Sequence, residues 1–97
     1  MPVSHALTST TNPELVINKL KRHWAHKENL TLSEHTDGLL IQFSRGRCLL
    51  TTQGNTLVAQ LDSDDEAAHG HLETVMKEHL ERFSPRDETL VLEWRRG

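Results

Sequence analysis

The 97-residue sequence predicts an α+β domain, a two-layer sandwich with both helices on one face of a mostly antiparallel sheet. Three observations predict it. Two stretches carry apolar residues at helical spacing, and the rest of the chain breaks into short runs with strand character. The connectors between the middle runs are Asp37-Gly38, Arg45-Gly46 and Gly54-Asn55, the chemistry of tight turns between consecutive antiparallel strands. In chain order the elements read βαββββαβ. A chain of 97 residues leaves no room for a second hydrophobic core, so residues 1–97 are taken as a single domain.

The first element, Val3 to Thr10, alternates apolar with small polar residues and reads as a strand. Thr11-Asn12-Pro13 then offers a helix cap followed by a proline at the first helical position. The helix spans about 13–27, with Val16, Ile17, Leu20 and Trp24 on one face, and His23 and His26 share a flank of it. Four strands follow: Leu30 to His35, Leu39 to Ser44, Arg47 to Thr52 and Thr56 to Leu61. Ser63-Asp64-Asp65-Glu66 resembles a capping box, so a second helix is predicted over 64–83 and closed by Pro85. Its apolar stripe is read as Ala68, Leu72, Val75, Met76 and Phe83, with His79 in its midst and therefore expected to be buried. A last strand, Thr89 to Arg95, alternates Leu90, Leu92 and Trp94 with Val91, Glu93 and Arg95.

Composition limits the functions available. A net charge of −3, with basic residues interspersed among carboxylates, argues against nucleic acid as partner, and Lys19-Lys21-Arg22 and Arg95-Arg96 read as solvated charge. No stretch approaches the roughly 20 apolar residues of a membrane span, and the first residues lack the charged and apolar regions of a secretory signal, so the expected address is cytoplasmic with no membrane partner. The single cysteine, Cys48, cannot form an internal disulfide, which agrees with a reducing compartment.

Seven histidines are many for this length, and imidazole is the commonest metal ligand, so the position of each matters. His23 and His26 stand one helical turn apart, His79 comes from the other helix, and Cys48 opens a strand able to face both. Together they make a Cys-His₃ set that suits zinc, ferrous iron or cuprous copper. The competing reading makes His23 and His79 hydrogen-bonded packing residues and Cys48 a small buried hydrophobe. His5, His35, His69 and His71 show no convergent spacing and are expected on the surface. Glu73, Lys77, Glu78 and Glu81 are read as the solvated face of the second helix, and Arg82 and Arg86 as cations that complement its dipole. Cys48 with His79 as base would make a thiol nucleophile. Nothing marks an oxyanion hole, a phosphate loop or a nucleotide fingerprint, so enzyme is the less favoured class.

Four segments carry a resemblance: His23-Trp24-Ala25-His26-Lys27, Phe43-Ser44-Arg45-Gly46-Arg47-Cys48, His79-Leu80-Glu81-Arg82-Phe83 and Val91-Leu92-Glu93-Trp94. Taken in that order over nearly the whole chain, HxxHK, FxxGxC and HLxRF resemble the bacterial domains of unknown function grouped as family 2218. The resemblance implies short stand-alone proteins, or domains joined in some actinobacteria to flavin-dependent siderophore-interacting reductases. It therefore implies a link to iron or siderophore metabolism and such a reductase as partner, and it names no ligand, reaction or catalytic residue. The rival class is an interaction module. With both helices on one side of the sheet, the other side would present Leu40, Gln42, Leu49, Thr51 and Val58, a half-apolar surface suited to a homodimer.

Overall fold

The computed structural model describes residues 2–25, 30–35, 38–85 and 89–97. Strand β1, Val3–Ser9, leads to helix α1, Pro13–Trp24, then to β2, Leu30–His35, and β3, Gly38–Phe43. Strands β4, Gly46–Gln53, and β5, Thr56–Ser63, are followed by helix α2, Glu66–Arg82, and a two-residue β6, Arg95–Arg96. The chain order βαββββαβ is thus the predicted one. The strands form one sheet in the order β2-β3-β4-β5-β1-β6, and each neighbouring pair is antiparallel.

Local chemistry explains the helix starts. The Asn12 side chain accepts from the Leu15 N–H at 3.1 Å, and Pro13 follows at a position where a missing N–H costs nothing. For α2 the cap is Asp65, whose carboxylate accepts from the Ala68 N–H at 2.8 Å. Gly54 turns the β4–β5 hairpin at φ 58°, in the left-handed region that a glycine enters without steric cost.

The register sorts side chains between two faces. Ser4, Ala6 and Thr8 of β1 lie on the same side as Leu57, Ala59 and Leu61 of β5, Cys48 and Leu50 of β4, and Leu39 and Ile41 of β3. This side meets Val16, Ile17, Leu20 and Trp24 of α1 and Leu72, Met76 and Leu80 of α2 in one hydrophobic cluster. Both helices therefore cover the same face, as the sequence predicts. The opposite face carries Leu7, Leu40, Gln42, Leu49, Thr51 and Val58, paired in rows by the same register.

Four expectations are corrected. The stripe of α2 that is buried runs through His69, Leu72, Met76 and Leu80, so it lies slightly round the helix from the predicted one. His69, expected on the surface, is fully buried, and His79, expected in the core, is half-buried. The strand predicted over 89–95 is a strand only at Arg95–Arg96. Its earlier backbone groups bond to α2 and the turn after it: the Leu92 N–H to Glu81, the Leu92 carbonyl to Lys77, and the Leu90 N–H to the Ser84 hydroxyl. Among the described residues no helix is long and apolar enough to cross a membrane.

Candidate functional site

The sequence-predicted ligands separate into three situations. His23, exposed at the end of α1, and His79 of α2 are brought together, with ring centroids 5.3 Å apart. Cys48 lies on the inner side of β4, fully buried between Ile41 and Leu61 in the register. Burial first, and the nearby Asp62 carboxylate second, push its thiol well above the ordinary value, so the thiolate that a metal or an electrophile requires is disfavoured. His26 lies outside the described residues. Among those described, no three or more His, Cys, Asp or Glu side chains are gathered to hold a metal ion.

What surrounds the imidazole pair is aromatic. The Trp24 ring lies 4.8 Å from that of His79 and meets Phe43 edge-on at 5.8 Å, while Phe83 meets His23 at 5.4 Å. Beside them opens a hollow of about 180 Å³, whose walls include Trp24, Phe43, His71 and His79. The His79 Nδ1 lies 2.7 Å from the Val75 carbonyl oxygen. A carbonyl only accepts, so the ring proton sits on Nδ1. In the neutral ring this leaves Nε2 as an acceptor or ligand atom.

A second constellation escaped the sequence reading. Ser4, Ser63 and His69 are buried polar residues where β1, β5 and α2 meet. The His69 Nε2 is hydrogen-bonded to the Ser4 hydroxyl, and Nδ1 to the Ser63 hydroxyl at 2.6 Å. Ser4 donates to Glu73 at 2.7 Å, and Glu73 also receives the Arg96 guanidinium at 3.0 Å. Arg96 in turn forks onto Glu66 at 2.7 and 2.8 Å. Serine, histidine and glutamate invite comparison with a hydrolytic triad, but the connections are wrong for one. The carboxylate of a triad orients the ring through Nδ1, which here bonds Ser63, and the one proton of Ser4 is committed to Glu73. Ser4 is also sealed from substrate. The network joins β1, β5, α2 and β6, and two signals pointed to it: the inward parity of Ser4 in β1, and the spacing of His69, Leu72, Met76 and Leu80 along α2.

The face away from the helices holds a shallow concavity of about 580 Å³, with Leu40 and Leu49 among its walls and His35, Arg47, Gln60 and Asp62 around them. Arg47 and Asp62 pair across β4 and β5 at 3.1 Å. Comparison with known proteins agrees with this architecture. A family model described as an uncharacterized protein conserved in bacteria, DUF2218, matches residues 5–95. The NMR structure of PA4090 from Pseudomonas aeruginosa is similar at a TM-score of 0.78 and 26% identity, over 98% of this chain and 96% of that one. No curated protein matches the chain.

Proposed function

We propose a function for a chain that belongs to DUF2218, a family of uncharacterised bacterial proteins: it is a ligand-binding accessory domain without chemistry of its own, contacting its ligand through His79 and His23. The observation that carries this reading is the His79 Nδ1 bond to the Val75 carbonyl, which leaves Nε2 of the neutral ring as a lone-pair donor beside the His23 ring and an aromatic hollow. Two imidazoles are too few to close a metal site, so a zinc or iron ion held here would take its remaining ligands from the bound molecule or from His26. The iron-linked setting of some relatives makes a siderophore-interacting reductase the partner in this reading. The test is titration of wild type and His79→Leu with Zn²⁺ and with Fe²⁺ alone. Wild type should bind about tenfold or more tightly than the variant. Equal, weak binding by both proteins would remove the histidine site.

A second reading rests on a different observation. Leu7 is 64% exposed on the uncovered sheet face, beside Val58 in the register and on the same face as Leu40 and Leu49. Arg47, Asp62, Glu93 and Arg95 give that face charges of both signs, so a second copy turned by a two-fold axis can meet it with opposite charge. Under this reading the domain is a C₂ homodimer. Sedimentation should show dimer in wild type and monomer in Leu49→Arg. A wild-type protein that stays monomeric at high micromolar concentration excludes it.

A further inference from the structure

The backbone of β1 alternates strictly in what it faces. The Ser63 N–H bonds the Pro2 carbonyl and the Thr10 N–H bonds the Asn55 carbonyl, at 3.3 and 2.8 Å. With the β1–β5 register, these two bonds mean that Ser4, Ala6 and Thr8 turn their N–H and C=O groups to β5. Val3, His5, Leu7 and Ser9 therefore turn theirs the other way, to the side of β6. Val3 and His5 find partners there: the Gly97 N–H bonds the Val3 carbonyl at 2.9 Å, and His5 pairs with Arg95.

The last segment has the matching alternation. Leu90 and Leu92 are buried toward α2, and their backbone groups bond to Ser84, Glu81 and Lys77, away from β1. Val91, Glu93 and Arg95 are exposed on the other side. Continuing the β1–β6 register by two residues sets Glu93 opposite Leu7, with the N–H and C=O of each aimed at the other. Among the described residues that pair is not formed. In its place lies a notch of about 270 Å³ lined by His5, Leu7, Glu93 and Arg95.

We propose that residues 90–96 are a strap poised to zip onto β1, a sixth strand closed at Arg95–Arg96 and open at Glu93, with the notch at Leu7 as the gap that it closes. No side chain needs to change face for this to happen, because the alternation of the strap already suits a strand. The bonds of Leu92 to Glu81 and Lys77 also survive, since they point away from β1. Closing exchanges bonds to water for one further ladder pair, a small net gain, so open and closed forms lie near balance. The closed form removes the notch and covers the bare edge of β1, the kind of edge that otherwise invites pairing with another chain.

Amide hydrogen exchange by NMR on the full chain tests this, with wild type beside Glu93→Pro, which deletes the N–H that the closed form needs and leaves the α2 anchors in place. The Leu7 amide should exchange roughly twofold faster in the variant, because open and closed forms near balance protect it about half the time, while Ala6 and Thr8, bonded to β5, exchange alike in both proteins. Equal Leu7 rates in the two proteins would overturn the proposal. Should Glu93→Pro also speed Ala6 and Thr8, it has loosened β1 as a whole, and Glu93→Thr decides. Threonine favours the strand, so slower Leu7 exchange than in wild type supports the strap and an unchanged rate overturns it.

Discussion

A single hydroxyl proton organises the most buried polar group of this fold. Ser4 donates it to Glu73, so the Ser4 oxygen must accept from His69 Nε2, and His69 is held with that nitrogen protonated. Replacing Ser4 with alanine leaves a buried N–H whose neighbouring carboxylate, Glu73, lies 3.5 Å away. Ser4→Ala should therefore cost roughly 1–3 kcal/mol in denaturant unfolding. The double variant Ser4→Ala/His69→Leu should cost less than the sum of its parts, because removing both partners leaves no orphan. A neutral Ser4→Ala, or strict additivity, would show that the network contributes nothing. His69 was legible in principle, since it stands on the apolar stripe of α2 at helical spacing. Its polarity disguised it. Reading only apolar letters moved the stripe round to His79, whereas the helix is oriented by Leu80 and by the three hydrogen-bond partners that β1, β5 and α2 provide for one another. Cys48 sat on a strand face that alternation predicted correctly, yet no pattern in sequence says that its thiol is sealed.

Elements defined by local chemistry were legible and those defined by distant partners were not. Asn12 and Asp65 cap helices whose starts the sequence located within two residues, and Gly38, Gly46 and Gly54 stand at the ends of, or between, strands close to those expected. Gly46 shows how such a turn is fixed: a Cβ there would come within 2.5 Å of the Asp62 carbonyl oxygen and 2.8 Å of Leu72, so only glycine lets β4 start against β5 and α2. The cap of α2 offers a direct test. Asp65→Ala removes the acceptor for the Ala68 N–H and the carboxylate that meets Arg45, and should lower the unfolding temperature, whereas Asp65→Asn, which keeps the acceptor, should lower it less. Equal losses in thermal unfolding would assign the effect to charge and not to the cap. The segment from Thr89 onward failed as a predicted strand for a reason absent from its own sequence. Its alternation is that of a strand, but a ladder also needs the neighbouring backbone to come close, and Glu81, Lys77 and Ser84 hold its even-numbered groups toward α2.

Across the whole molecule, the sheet and the helical layer are fastened at one margin by carboxylates on a helix face that periodicity assigns to solvent. Glu73 takes Ser4, Arg96 and, through its carbonyl, the Trp94 indole N–H, while Glu81 takes Lys77 and the Leu92 N–H. Burial alone would push the Glu73 carboxyl up, but the hydrogen bonds from Arg96 and Ser4 and the charge of Arg96 outweigh it, so the group ends below the usual range. Glu81 is lowered first by its hydrogen bond from Lys77 and then by that from Leu92. A carboxyl held lower in the folded than in the unfolded chain contributes stability that is fully present above the unfolded value, about 4.3, and is lost as pH falls through the folded one. Glu73→Gln and Glu81→Gln should thus each be less stable than wild type at neutral pH. The gap should narrow below about pH 4, where wild type takes up the protons that the variants never exchange. Urea unfolding followed from neutral pH down to about pH 2.5 reads it directly. A gap of constant size across that range would mean that the two glutamates act through shape alone and that their charge does not fasten the last segment to α2.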